Sequence, residues 1–255
     1  MSEPLLRVEG LSRHFGGVQA VQDVSIRVEP GQVFGLIGPN GAGKTTLLNL
    51  LSGFLRPSAG AIEFGGQRVD GAAPERIAAM GMRRTFQNVR LFGGMTVREN
   101  VVVGEHSRRR HGLLERLVWA SAERREEAAV RRRADDLLDL VGLAELADRR
   151  ADGLAYGQRR RLEIARALAG APRLLLLDEP VAGLGGAEVE EIARLLRELV
   201  GEGQTILLIE HNVQFVMALC DRIAVLNFGR KIAEGGPAEV AADPGVIEAY
   251  LGTDQ

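Results

Sequence analysis

The sequence predicts an α/β fold in which a mostly parallel sheet is covered by helices on both faces and interrupted by an inserted helical block. Three observations predict it. After Arg173, short apolar runs (Leu174–Leu177, Thr205–Ile209 and Ile223–Leu226) alternate with amphipathic stretches. That is the pattern of strands buried on both faces and joined by helices. From about Met95 to Ala169 the composition turns to Arg, Glu and Ala, with Val130, Ala134, Leu137, Leu138 and Val141 at helical spacing. A glycine-rich segment, Gly38 to Thr46, stands between an apolar run and a helical one.

Near the N-terminus Val24, Ile26 and Val28 alternate with polar residues, as in a half-buried strand. Val33 to Ile37 reads as a buried strand, and Thr45 to Phe54 as a helix. Ile62 and Phe64 repeat the strand alternation before a Gly65-Gly66 turn. Beyond the helical block, Val189, Ile192, Leu196 and Leu199 mark an amphipathic helix. Pro237 to Gly252 reads as two short helices broken at Asp243-Pro244. The organisation expected is one domain, 1–255. Its core comes from residues 1–90 and 170–236, its inserted helical subdomain from 91–169, and its helical tail from 237–255.

Composition narrows the function classes. At 255 residues the chain can bury a full core. A net charge of −2 gives no basic field to recruit nucleic acid, and 4% aromatics leave few platforms for stacking bases. No nucleic-acid partner is expected. Cys220 is the one cysteine, so no internal disulfide forms, and its apolar neighbours mark it as a small buried hydrophobe. Met1 to Val8 lacks a signal-peptide core, and no apolar stretch reaches the ~18 residues a membrane span needs. A cytosolic chain is expected, with any membrane role coming through a partner.

Gly38, Gly43, Lys44 and Thr45 fit the phosphate-loop spacing G-x-x-x-x-G-K-[ST], with Pro39, Asn40, Gly41 and Ala42 between and Thr46 after. Glycines let several backbone N–H groups turn toward one anion, and the helix behind adds its positive end. Of 32 basic residues 30 are Arg, and Lys44 is one of only two Lys. A slim ammonium enters between phosphates where a planar guanidinium is too broad. A nucleoside triphosphate is the expected ligand. Leu174–Leu177 ends in Asp178-Glu179, two carboxylates at the tip of a core strand. Asp178, directly or through water, and the Thr45 hydroxyl suit Mg²⁺ beside the phosphates. Glu179 suits the role of general base toward water. His211 comes just after the Thr205–Ile209 strand and could hydrogen-bond a γ-phosphate or orient water.

At this point the chain resembles the ATP-binding cassette proteins. Leu154-Ala155-Tyr156-Gly157-Gln158 resembles their L-S-G-G-Q signature and precedes a helix expected over Arg159–Ala169. Gln87 resembles the glutamine loop, as a γ-phosphate sensor and metal ligand. His211 resembles the switch histidine, and Phe15 the aromatic that stacks on adenine. Thr85–Phe92, Leu154–Leu168, Ile209–Asn212 and Val246–Gly252 resemble most the ATPases of branched-chain amino acid importers. The urea-import and lipopolysaccharide-export ATPases share parts of the pattern, and soluble cassette ATPases form a further alternative.

The resemblance implies a P-loop NTPase (RecA-like) core with an N-terminal antiparallel β subdomain and an inserted α-helical subdomain. It implies ATP and Mg²⁺ as cofactors and a second ABC ATPase, identical or sister, as partner. Leu154 to Gln158 of that second chain would meet the ATP held here. Two transmembrane permeases, and indirectly a solute-binding protein, complete the implied assembly at the cytoplasmic face of the inner membrane. Ala155 and Tyr156 depart from the usual Ser and Gly, and Gly185 from the usual Asp or Asn. The arginine runs Arg108–Arg110, Arg131–Arg133 and Arg159–Arg161 read as solvated helix faces. Leu113, Leu114, Leu117, Val118 and Trp119 read as packing within the helical block.

Overall fold

The computed structural model describes residues 3–86, 91–106 and 120–251. The Gln87 assignment and the segment from Arg108 to Trp119 lie outside them. The chain forms two compact units, Met1–Arg84 with Arg173–Gln255, and Thr85–Pro172.

The first unit carries two sheets. β1 (Leu6–Phe15), β2 (Val18–Val28), β4 (Ala59–Phe64) and β5 (Gln67–Arg68) pair antiparallel in the order β2-β1-β4-β5. Val24, Ile26 and Val28 are buried and the residues between them exposed, because one face packs on the core and the other meets solvent. The second sheet includes β3 (Val33–Ile37), β6 (Met82–Arg84), β7 (Leu174–Asp178), β8 (Thr205–Ile209), β9 (Arg222–Asn227) and β10 (Arg230–Gly235). Its order is β10-β9-β3-β8-β7-β6, parallel throughout except for the β9–β10 hairpin. Every residue of β3, β7 and β8 is buried, so these strands read as unbroken apolar runs rather than alternating ones.

Helices complete this unit. α1 (Lys44–Leu51) stops three residues short of the expected Phe54, because Ser52 leaves the helix and turns its hydroxyl back to the Leu48 carbonyl at 2.6 Å. α2 (Pro74–Ala79) leads into β6, an edge strand of only three residues that its Arg-rich sequence conceals. α6 (Gly186–Gly201) buries Ile192, Leu196 and Leu199 as expected. α7 (Val213–Leu219) ends at buried Cys220, whose thiol burial pushes up to about 12. α8 (Pro237–Ala242) and α9 (Pro244–Leu251) are the two tail helices, parted at Asp243 as expected, and α9 rests on β10 and α8.

The second unit is helical: α3 (Val97–His106), α4 (Ala120–Leu140) and α5 (Tyr156–Leu168), with short 3-10 turns at Ala144–Leu146 and Ala151–Gly153. Val130, Ala134, Leu138 and Val141 are buried, as their spacing predicts. Asn100, fully buried, stitches the start of α3. Its amide donates to the Phe92 and Thr96 carbonyls at 3.1 and 2.9 Å and accepts the Phe92 N–H at 2.9 Å. Among the described residues, no helix is long and apolar enough to cross a membrane.

Leu176 is fully buried in β7, two residues before Asp178. Leu176→Ala is expected to destabilise the protein by about 2–5 kcal/mol, combining lost transfer energy with a cavity. Urea denaturation monitored by far-UV circular dichroism measures it.

Candidate functional site

Three neighbouring parallel strands, β3, β8 and β7, end at the same edge of the sheet, because parallel pairing points all their carboxyl ends one way. β3 runs into Gly38–Thr46, β8 runs into Glu210-His211, and β7 ends in Asp178-Glu179. The sheet therefore brings together segments separated by more than a hundred residues of chain.

The loop after β3 is built on glycines that nothing else replaces. A Cβ on Gly38 would lie 2.1 Å from the Leu226 carbonyl oxygen, and one on Gly43 2.3 Å from that of Ala20. Gly43 is left-handed at φ 99° and supplies no side-chain cap to α1, so the first-turn amides behind it present a bare positive helix end. Lys44, 5% exposed, donates its Nζ to the Gly38 and Pro39 carbonyls at 2.7 and 2.9 Å. Burial pulls its ammonium below the usual lysine value, while the charges of Glu179 and Asp178 pull it back up. That mutual influence places the loop lysine and both carboxylates in one electrostatic environment. A cradle of glycine backbone, an uncapped helix end and a desolvated cation fits a triphosphate.

At the same edge Glu179 Oε1 lies 2.6 Å from His211 Nε2. Glu179 is left-handed at φ 52°, a costly state for a side chain with a Cβ. Its own N–H, donated to the Ile209 carbonyl at 2.9 Å, helps hold it there. His211 is aimed by its neighbours. Glu210, 2% exposed, accepts the N–H of Val181 at 2.8 Å and of His211 at 3.0 Å, and Asn212 caps α7 through the Phe215 N–H. Burial pushes the Glu210 carboxyl above the usual range, against the pull of its backbone donors. Asp178 pairs with Arg84 (Nη2 to Oδ2, 2.9 Å), and Arg84 also donates to Asn49 of α1 at 2.6 Å and Ser52 at 3.1 Å. β6 thus delivers a cation that fastens the Asp178 carboxylate to the base of α1.

The sequence alone does not single out Arg84 or Glu210. Arg84 stands in a strand too short to show a pattern. A signal for Glu210 does exist: an acid directly after an apolar run, as at Asp178. Phe15 is 44% exposed at the end of β1, with the Arg13 guanidinium 4.6 Å from its ring centre. It is an exposed platform rather than a core residue.

In the second unit the segment Leu154–Gln158 is differently arranged from expectation. α5 begins at Tyr156, not Arg159, so Tyr156, Gly157 and Gln158 form its first turn. The Gln158 side chain explains the early start: its Oε1 accepts the Ala155 N–H at 3.0 Å and caps the helix. Leu154 and Gly157 are buried, while Ala155 and Tyr156 are exposed. Arg159–Arg161 is not a solvated face. Arg159 donates to the carbonyls of Leu154 and Asp152 at 2.9 and 2.7 Å, and Arg161 to that of Val141 at 3.1 Å. Arg160 is buried. It donates to the Tyr156 hydroxyl at 2.9 Å and the Phe86 carbonyl at 3.2 Å, and pairs with Glu163 at 3.5 Å. Glu163, 1% exposed, accepts the Phe86 N–H at 3.1 Å. The irregular chain around the loop needs donors for its carbonyls, and three arginines supply them. Arg131 and Arg132 are exposed, as expected of a solvated run, while Arg133 reaches across to pair with buried Glu105 of α3.

A phosphate loop, a strand-end acid pair and a histidine in one sheet, with an L-A-Y-G-Q helix in a separate helical unit, define an ATP-binding cassette. The family model described as ABC transporter matches residues 21–182, more than half the chain. The chain belongs to the ABC transporter family of ATP-binding cassettes and is an ATPase. A second model, described as branched-chain amino acid ATP-binding cassette transporter, matches residues 230–255. The chain is similar to the high-affinity branched-chain amino acid transport ATP-binding protein LivG of Escherichia coli (strain K12), at 47% identity over 99% of both chains. It is similar to BraF of Pseudomonas aeruginosa at 46% over 99% of both. It is 38% identical to the lipopolysaccharide export system ATP-binding protein LptB of Acidithiobacillus ferridurans, over 99% of this chain and 98% of that one. Among solved structures, an ABC transporter cassette in its ADP conformation has a TM-score of 0.86 at 35% identity, covering 98% of this chain and 100% of that one. A nucleotide-free cassette has 0.84 at 35%, covering 97% and 99%.

Arg160→Met alone removes one partner of buried Glu163, which keeps the Phe86 N–H at 3.1 Å and Arg166 at 3.9 Å, and is expected to cost about 1–3 kcal/mol. Adding Glu163→Met to it should recover a large part of that loss. Chemical denaturation of the two variants and the parent measures the coupling.

Proposed function

We propose that this chain is the energising subunit of an importer of branched-chain or other amino acids. It would work at the cytoplasmic face of the inner membrane with a second ABC ATPase, two transmembrane permeases and, indirectly, a solute-binding protein. The observation that carries the catalytic part is the 2.6 Å contact of Glu179 with His211 at the sheet edge that also bears Lys44. Support for the substrate class comes from the LivG and BraF likenesses and from the branched-chain model over the tail.

In this reading Gly38 to Thr46 hold the phosphates of ATP, with Lys44 exchanging its carbonyl partners for phosphate oxygens. Phe15 offers its exposed ring to adenine. The donor set of the Thr45 hydroxyl and Asp178 carboxylate fits a hard cation, with Gln87 as a further ligand; Mg²⁺ would there neutralise charge between the phosphates. Glu179 takes the proton of the attacking water, and His211 steadies the Glu179 carboxylate and reaches toward the γ-phosphate. Arg84 holds the Asp178 carboxylate in place through a charge-assisted hydrogen bond. The first turn of α5, bearing Leu154 to Gln158, serves the ATP of the second ATPase. Tyr156, held by Arg160, fills a position where relatives of this fold class use glycine, and the backbone of Gly157 remains for the phosphate.

Glu179→Gln is expected to retain ATP binding while lowering steady-state hydrolysis by about 10²–10⁴-fold, the usual worth of a general base. Binding titration and phosphate release on the same preparation check it, and unchanged turnover rules the role out. Transport is tested by reconstituting the chain with its neighbouring permeases. Stimulation of ATPase activity by a binding protein loaded with leucine, isoleucine or valine is expected. Stimulation by a lipopolysaccharide acceptor instead would favour the export reading that the LptB likeness allows.

A further inference from the structure

Glu179 is held from both sides along the chain, and one of the two holds is a side chain. Its own N–H is fixed by the Ile209 carbonyl at 2.9 Å. After it comes Pro180, which has no N–H, so Val181 offers the first backbone donor beyond Glu179. That donor goes to Glu210 Oε1 at 2.8 Å. The other oxygen of the same carboxylate, Oε2, accepts the N–H of His211 at 3.0 Å. Glu210 and Val181 are both buried, so water does not compete for these bonds. Beyond His211 the chain is fixed again, because Asn212 caps α7 and accepts the Phe215 N–H at 3.0 Å. One buried carboxylate thereby ties the chain that follows Glu179, at the tip of β7, to the chain that carries His211, at the tip of β8.

We propose that Glu210 is a positioning residue for ATP hydrolysis: it sets Glu179 and His211 relative to each other, and the 2.6 Å contact between their side chains depends on that hold. The first reason is strain. Glu179 stands at φ 52°, a state that persists only where the surroundings over-determine it. The bonds to Ile209 and Glu210 flank the strained residue. The second reason is the chemistry of the bridge. A carboxylate only accepts, and it does so through two oxygens, which is what two backbone N–H donors from different segments need. An amide of the same shape would turn an N–H toward one of them. Glu210 acts through Glu179 and His211, and a misplacement of about 1 Å transmitted in this way can cost on the order of 10²-fold in rate. The inference rests on the reading of Glu179 as the general base.

The test is Glu210→Gln in the full chain, which keeps the size of the side chain and sets an amide N–H against one backbone donor. Its kcat for ATP hydrolysis is expected to fall about 10- to 100-fold, the worth of a hydrogen bond to a charged group. Affinity for MgATP and the number of sites titrated per chain should match the parent. Added to Glu179→Gln, the same change should lower the remaining turnover by less than about twofold, since no base is left to place. Glu210→Asp keeps the charge but draws it back by one methylene. It should also lower kcat and not the affinity, and it carries the test if the glutamine variant does not fold. An unchanged kcat overturns the proposal. So does a matching loss of MgATP sites, or a loss that multiplies with that of Glu179→Gln, since either marks a role in folding rather than in placing the base. Failure of both variants to fold makes Glu210 a residue of the fold alone and overturns the proposal too. If Glu179→Gln by itself leaves turnover intact, the general-base reading falls first and takes this inference with it.

Discussion

The whole site depends on the parallel pairing of β3, β8 and β7 with all side chains buried. Burial on both faces commits these strands to the interior of the sheet, because their apolar side chains leave neither face fit for water. Parallel direction then sends every carboxyl end to one edge. The loop lysine, the strand-end acids and the histidine meet there because the strands cannot end anywhere else. The acids are desolvated at that edge while His211 stays exposed, and each acid is answered: Asp178 by Arg84, Glu179 by His211, and Glu210 by backbone N–H groups. Answered charges in a poorly hydrated edge are what a phosphoryl-transfer site requires, since fixed dipoles and charges need no reorganisation when charge develops.

The second unit solves a different problem with the same means. Its signature segment is irregular backbone, and irregular backbone needs partners for its carbonyls. Arg159, Arg160 and Arg161 provide them, and Gln158 caps the helix that begins inside the motif. The Tyr156 hydroxyl is absorbed into this network through Arg160, which accounts for a bulky residue where a small one is usual. The buried Arg160–Glu163 pair grips both backbone groups of Phe86, so the start of the segment leading to Gln87 is tied to the helix that carries the signature. A buried ion pair adds little net stability, but it is specific in geometry, and here geometry is what matters.

Much of the fold is legible in the sequence because period and run length are local properties. Leu174–Leu177 and Thr205–Ile209 are too short and too apolar for anything but strands buried on both sides, and Gly38–Thr46 between a strand and a helix has the spacing of a phosphate cradle. The start of α5 lies three residues earlier than its pattern suggests, because its cap is made by Gln158, a residue that also fits a loop motif. The run Arg159–Arg161 imitates a solvated face, since interleaved charge looks the same whether it meets water or backbone carbonyls. β6 leaves no trace in the pattern, being three residues long with two arginines and ordered only by its pairing with β7.

By itself the sequence determined the class of fold and marked Gly38–Thr46, the acid pair and the histidine as candidates, because spacing along the chain encodes them. Only the tertiary structure decided which groups touch: Glu179 with His211, Asp178 with Arg84, Val181 with Glu210. Those pairs join residues far apart along the chain, and no local pattern records a contact created by strands that come together only when the sheet is buried.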